Sequence, residues 1–284
     1  MLDRILRLLV SHCVLGCSVS DGEKLYSLAP VSKYFVSNQD GVSLHPYMAL
    51  VHDKVYMDSW YELKNTIVDG GIPFNKVHGM SLYEYIGTDS RFNEVLNKAM
   101  FNYTSIVMKR ILESSYKGFE QLQNLVDVGG GLGVTINIIT SKYPYIKGVN
   151  FDLPHVIQSA PSFPGVDHIG GDMFEEIPHG DAILIKLVLH NWDNDHCLRL
   201  LENCYKAIPE DGKVIVIDVV VSTESEISYA VRETSLLDII MLFQLPGGKE
   251  RTIEEYRKLA IEAGFRGFNF KCVVCNFCIM EFVK

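Results

Sequence analysis

The sequence is short of positive charge: 26 Lys and Arg stand against 35 Asp and Glu, giving a formal net charge of −9, and no stretch gathers the cations into a stripe. A nucleic-acid backbone is bound by a basic face, so no nucleic-acid partner is expected. A cysteine framework is also lacking, because the seven cysteines are odd in number and irregularly spaced; such usage suits a reducing compartment. The start, Met1-Leu2-Asp3-Arg4, has no basic-then-apolar leader. No apolar run approaches the roughly 18 residues of a bilayer span. A cytoplasmic chain without a membrane partner is therefore expected. Repeats and low-complexity segments are missing too. Asn102-Tyr103-Thr104 has the form of a glycosylation acceptor, but without secretion it reads as helix.

What the sequence does have is apolar content, 48% of 284 residues, enough for one large domain and a smaller one. Its most distinctive stretch is Leu125-Val126-Asp127-Val128-Gly129-Gly130-Gly131-Leu132-Gly133. An apolar run closing on an acid and then on glycines reads as a buried strand turning sharply into a helix. Glycine there admits positive φ and lets a ligand approach the main chain. The dinucleotide fingerprint would need glycine where Val134 stands, so the spacing favours S-adenosylmethionine over a nicotinamide cofactor.

Before this stretch, Leu2, Ile5, Leu6, Leu8, Leu9 and Val14 recur at helical spacing with no polar lead-in. The chain therefore reads as starting inside structure, with an N-terminal portion expected before it. Lys24–Leu28 alternates as a short strand and 30–35 returns toward a turn at Asn38–Gly41, an order resembling a winged-helix module. From His45 to Lys117 the pattern is mainly helical, with a capping box at Ser81–Glu84 and aromatics such as Trp60, Tyr83 and Tyr103. Those aromatics are expected as core, and together could wall an aromatic substrate. After Leu125, strands and helices alternate through Lys213–Val221, a helix follows near Thr252–Ala263, and Phe268–Phe282 closes the chain as an edge hairpin. That rhythm predicts an α/β fold, a parallel sheet covered on both faces.

In such a sheet, ligands lie outside the carboxyl ends of the strands. One strand ends at Asp127 and the glycines. The next ends at Asp152, about 20 residues on, where a ribose diol finds its acceptor. A third leads to Asp172-Met173-Phe174, suited to a purine. The fourth, Ala182–Lys186, runs on to His190-Asn191-Trp192. An imidazole titrates near neutrality, as a base for a hydroxyl proton must. Asp218, closing another strand, and Glu250 are candidates to orient it and stabilise its cation. Cys272, Cys275 and Cys278 have zinc-like spacing but no second ligand pair; buried thiols are expected there, and no metal.

These strings, together with Asp69-Gly70-Gly71-Ile72-Pro73-Phe74, Asn150-Phe151-Asp152-Leu153-Pro154-His155 and Pro246-Gly247-Gly248-Lys249-Glu250-Arg251, resemble the plant small-molecule O-methyltransferases of the caffeic acid/flavonoid type over the whole chain. The resemblance implies a Rossmann-like S-adenosylmethionine-dependent methyltransferase domain at 81–284. It also implies a smaller, mainly helical winged-helix dimerisation domain at 1–80, shortened at its N-terminus. The cofactor, released as S-adenosylhomocysteine, would be held by Asp127, Gly129, Gly131, Asp152, Leu153, Asp172, Met173 and Lys186. His190 would be the general base, flanked by Asp218 and Glu250. Leu50, Val51, Met100, Tyr103, Leu237, Ile240, Met241 and Leu245 would line a pocket for a phenolic substrate, and the protein would be a homodimer. The caffeic acid branch usually carries Glu at 218 and Asn at 51 and 245, so Asp218, Val51 and Leu245 predict a more apolar pocket with fewer partners for ring hydroxyls. A catalytically silent dimerisation partner and, more remotely, an NAD-dependent oxidoreductase are the alternatives.

Overall fold

The computed structural model describes residues 1–223 and 227–284. The chain divides into two compact units, one of residues 1–57 with 89–106 and one of residues 58–88 with 107–284. Helices α4 (Leu63–Asp69), α5 (Pro73–His78) and α6 (Leu82–Thr88) belong with the second unit, where Phe74 is fully buried against the rings of His78 and Tyr85. The long helix α7 (Ser90–Glu113) gives its first two thirds to the first unit.

In the first unit, α1 (Leu2–Ser11) leads into an antiparallel pair, β1 (Leu15–Ser20) and β2 (Glu23–Leu28). β2 falls where alternation predicts a strand. β1 is not foreseen, because Leu15-Gly16-Cys17-Ser18-Val19-Ser20 is too polar and glycine-bearing to show a period of two. Asp3 ties α1 to β2 by accepting from Lys24 at 3.2 Å and Tyr26 at 2.7 Å. No residue of α1 is buried, and Leu2, Ile5 and Leu8 lie open. Helix α2 (His45–Val51) follows; within this unit Tyr47 stacks on Tyr103 at 4.9 Å, and Arg91 grips Asp53 with two bonds of 2.5 and 3.0 Å. Asn102 lies on α7 and bonds the Lys98 carbonyl, as the helical reading of its acceptor sequence expects. Helix α3 (Lys54–Tyr61) runs across the division of the chain.

The second unit is built on a sheet of β3 (Asn124–Val128), β4 (Lys147–Asp152), β5 (Val166–Gly170), β6 (Ala182–Lys186), β7 (Lys213–Val219), β8 (Gly267–Val274) and β9 (Phe277–Val283). Among the described residues its spatial order is β5-β4-β3-β6-β7-β9-β8. The first five run parallel, with Val128 beside both Phe151 and Ile185 and Ile185 beside Val216. Helices α8 (Val134–Lys142), α9 (Pro154–Ile157), α10 (Asn194–Ala207), α11 (Tyr229–Gln244) and α12 (Ile253–Glu262) complete the unit. β6 is buried at every position, as a strand covered on both faces must be. β8 and β9 form the antiparallel edge hairpin that the sequence predicts. Cys275 and Asn276, at φ 49° and 66°, make its two-residue turn, the twist such turns require. Cys275 is consequently exposed and Cys272 half-buried, so Cys278 is the one of the three that matches the expectation of buried thiols. No described helix is long and apolar enough to cross a membrane.

The strand order reverses beside β3: the chain moves outward through β4 and β5, then returns to the other side of β3 for β6 and β7. A crevice opens at the carboxyl ends of strands at such a reversal.

Candidate functional site

The turn after β3 is packed beneath and open above. A Cβ on Gly129 would lie 2.7 Å from a Val188 methyl, and one on Gly130 would lie 2.2 Å from the Asn150 side-chain oxygen. One on Gly131 would meet nothing within 4 Å. Gly129, Gly131 and Gly133 all have positive φ, and Gly133 leads directly into α8. Backbone is thus brought close to open space at Gly131, the geometry a bound nucleoside needs.

Asp152 faces this turn, its Oδ2 accepting from Gly131 N–H at 2.8 Å while Oδ1 accepts from Leu153 N–H at 2.7 Å. Asn150 supports the turn from below: it is fully buried, donates to the Gly131 carbonyl at 2.9 Å and meets His168 at 3.1 Å. Sequence reasoning gave no role to Asn150 or His168; the sole signal is an amide at an inward position of an apolar strand. Asp172 closes the next strand end, holding Phe174 N–H at 2.8 Å, and Asn203 holds the Met173 carbonyl at 3.0 Å. Tyr83, on α6, lies parallel to Trp192 with ring centroids 6.5 Å apart.

Below these groups, Asp127 and Lys186 are buried together. Burial pushes the Asp127 carboxyl up to about 7, with Lys186 opposing, and brings the Lys186 amine down to about 8 against the pull of Asp127 and Asp218. Asp127 Oδ2 has no hydrogen-bond partner among the described residues.

The chain leaves β6 through Leu187, which holds a left-handed φ of 56°, a conformation a branched side chain seldom accepts. A 3-10 turn at Leu189–Asn191 follows and places His190, 8% exposed. Its Nδ1 lies 2.8 Å from Glu250 Oε1 and 4.0 Å from Asp218 Oδ1. A carboxylate only accepts, so Nδ1 carries the hydrogen and Nε2 keeps the lone pair. Burial would lower the His190 pKa; Asp218 and Glu250 more than reverse this, and it ends above the usual value. Burial pushes the Asp218 carboxyl up, His190 opposes, and Glu250 adds to the rise. Glu250 is itself tethered through its N–H to Asp238 of α11 at 2.9 Å. Tyr256, fully buried on α12, is a further neighbour of Asp218. The donor atoms of His190, Asp218 and Glu250 all lie within 4.8 Å of one another, a spacing that could also hold a metal ion.

The structure therefore draws His190, Asp218 and Glu250 into one cluster, and sets Gly129, Gly131, Asp152 and Leu153 around one turn with Asp127 and Lys186 beneath. Of the eight residues expected to line the substrate pocket, Leu237, Ile240 and Met241 lie on α11 and Leu245 caps its end, Met241 and Leu245 being buried. Trp60 packs on Phe243 of the same helix at 4.4 Å. Leu50 and Val51 lie on α2, and Met100 and Tyr103 on the part of α7 that belongs to the first unit.

A reversed parallel sheet with an antiparallel edge hairpin, a glycine turn and an acid closing the next strand define a Rossmann-like methyltransferase domain. A family model described as O-methyltransferase domain matches residues 60–266, and one described as O-methyltransferase dimerisation domain matches residues 1–38. The chain belongs to the O-methyltransferase family. It is 59% identical over 286 residues to the anthranilate N-methyltransferase of Ruta graveolens, covering all of this chain and 78% of that protein. It is 54% identical over 289 residues to a caffeic acid 3-O-methyltransferase of Populus tremuloides, covering all of this chain and 79% of that protein. The crystal structure of human N-acetylserotonin methyltransferase in complex with SAM matches with a TM-score of 0.85 at 24% identity, over 99% of this chain and 82% of that one, and shows the same fold.

Proposed function

We propose that this protein is an S-adenosylmethionine-dependent methyltransferase that methylates a phenolic hydroxyl of a plant secondary metabolite, with His190 as the general base. The observation that carries this reading is the buried imidazole held at Nδ1 by Glu250, 2.8 Å away, one strand from the glycine turn.

The open face at Gly131 and the carboxylate of Asp152 fit the nucleoside; Gly129, Leu153, Asp172, Met173 and Lys186 would complete its site. Bound there, S-adenosylmethionine supplies a methyl group already activated on a sulfonium, so the protein is left with the acceptor. A phenol with pKa near 10 is a poor nucleophile at neutral pH. His190 Nε2 would remove its proton as the oxygen attacks, and Glu250 and Asp218 would stabilise the imidazolium. Apolar groups on α11, Leu237, Ile240 and Met241, with Leu245 at its end, would orient the ring.

A second reading, an aromatic amine as acceptor, is favoured by the 59% identity to an anthranilate N-methyltransferase. An arylamine attacks with its own lone pair and depends less on a base. Open apolar positions on α1, with the dimerisation match at 1–38, support a homodimer.

The test is transfer of a labelled methyl group from S-adenosylmethionine to a panel of phenols and arylamines, with and without a chelator. The expected outcome is methylation of a phenol at a rate indifferent to the chelator. Turnover confined to arylamines would establish the second reading, whereas bound cofactor with no transfer to any acceptor would point to a silent partner.

A further inference from the structure

Glu250 is followed by an arginine whose partners lie on both sides of His190. Arg251 is completely buried. Its Nη1 donates to the Leu189 carbonyl at 2.7 Å, and its Nη2 donates to the Trp192 carbonyl at 2.7 Å and to Asn194 Oδ1 at 3.0 Å. Nε donates to Asn194 Oδ1 as well, at 3.2 Å. Within the described residues no carboxylate pairs with this guanidinium; its hydrogen-bond acceptors are neutral.

Burying a cation without an ion pair is costly, and the compensation here is specific. The turn around His190 leaves β6 through a left-handed residue and enters α10 behind the N-cap Asp193. Its Leu189 and Trp192 carbonyls belong to no strand ladder. A planar guanidinium presents its donors in a fixed fork, so it joins these two carbonyls, alongside the Cys197 thiol at 3.1 and 3.6 Å from them and the Trp192 N–H at 3.3 Å from the Leu189 carbonyl, and His190 lies between them in the chain. Arg251 is held in turn: its carbonyl accepts from Val221 N–H at 3.0 Å, and it bridges to Val220, just beyond the strand that carries Asp218. Two residues earlier, Lys249 N–H donates to the His190 carbonyl at 2.9 Å. The segment 249–251 thus grips the histidine by its backbone, its ring and the carbonyls on either side.

We propose that Arg251 is a positioning residue for His190, its guanidinium fixing the 189–192 turn so that the imidazole stays against Glu250 and Asp218. This rests on the reading of His190 as the base. The positive charge of Arg251 also favours ionised Asp218, against the effect of burial.

Arg251→Lys keeps the charge and loses the fork. Its kcat is expected to fall roughly 10- to 100-fold, the cost of misplacing a reacting group by a fraction of an ångström to an ångström. Acceptor KM and calorimetric S-adenosylhomocysteine affinity should change by less than about threefold, since neither depends on the base. In a His190→Ala background, Arg251→Lys should slow turnover no further. Multiplying losses in the double variant, unchanged kcat in Arg251→Lys, or a cofactor affinity that falls in step with kcat would each overturn the proposal. Should Arg251→Lys not fold, Asn194→Ala removes two of the four hydrogen bonds and leaves the arginine. A several-fold loss of kcat that vanishes in the His190→Ala background is then expected, and an equal loss in both backgrounds would overturn it. If His190→Ala itself turns over at the wild-type rate, the base reading is what fails, and the positioning role falls with it.

Discussion

Replacing Glu250 by Gln preserves shape and an acceptor oxygen but removes one charge from beside the imidazole. Glu250 is 4% exposed, with Oε1 at 2.8 Å from Nδ1. At a charge separation near 4 Å and an effective dielectric near 20, a unit pair is worth about 4 kcal/mol. The amide oxygen retains about 1 kcal/mol of neutral hydrogen bond, and Asp218 stays in place at 4.0 Å. A net loss of about 3 kcal/mol in the transition state lowers the plateau rate roughly 10²-fold, at 1.36 kcal/mol per tenfold. The direction of the pH effect is separately fixed. His190 works as a base only when neutral, and its pKa stands above the usual value although burial lowers it, because Asp218 and Glu250 raise it. Without the Glu250 charge the acid limb of kcat/KM must move to lower pH even as the plateau falls. A group whose folded pKa is raised lends stability that is complete below its unfolded pKa and lost as pH rises through the folded value. The stability deficit of Glu250→Gln should therefore be larger at pH 5.5 than at pH 8.5. Labelled-methyl assays from pH 5.5 to 9, with thermal melts at both ends, measure all three. An acid limb that stays in place or moves to higher pH would refute the reasoning.

Asp127→Asn should stabilise the cofactor-free protein by roughly 1–3 kcal/mol at pH 8, once the loss of Lys186's partner is set against relief of a buried charge. Because burial raises the Asp127 pKa to about 7, the gain should grow as pH rises from 4 to 7 and then level, which melts across that range would check; the same variant should bind cofactor more weakly. Gly130→Ala would place a Cβ 2.2 Å from the Asn150 oxygen and 2.8 Å from an Asp127 oxygen. It should cost about 1–3 kcal/mol of stability and weaken S-adenosylhomocysteine binding, measured by melts and calorimetry; an unchanged affinity would remove the turn from the cofactor site.

What the sequence made legible were features written locally. An apolar strand ending in an acid and glycines shows itself wherever it occurs, and strands alternating with helices fix which residues fall at strand ends. For that reason Asp127, Asp152 and His190 could be placed before the fold was known. Glu250 closes no strand and was named as a candidate carboxylate in Pro246-Gly247-Gly248-Lys249-Glu250-Arg251; the family resemblance assigns it the same role. The features that were not legible depend on partners far along the chain. Arg251 closes a string of the sequence without a role of its own, because its acceptors, the carbonyls of Leu189 and Trp192, lie about 60 residues earlier in the chain. Asn150 lies within a strand ending at Asp152, and its task shows only once the Gly131 carbonyl is brought to its amide. Helix α11 leaves Leu236, Ile239 and Leu242 exposed, so its apolar residues surround it and no single face declares the helix.

The most direct measurement is a paired one on His190→Ala: S-adenosylhomocysteine affinity by calorimetry and single-turnover methyl transfer to a phenol. Affinity within about threefold of wild type, with transfer slowed roughly 10²- to 10⁴-fold, is the result expected of a positioned base. Transfer at the wild-type rate, with the cofactor bound as tightly as before, would contradict it.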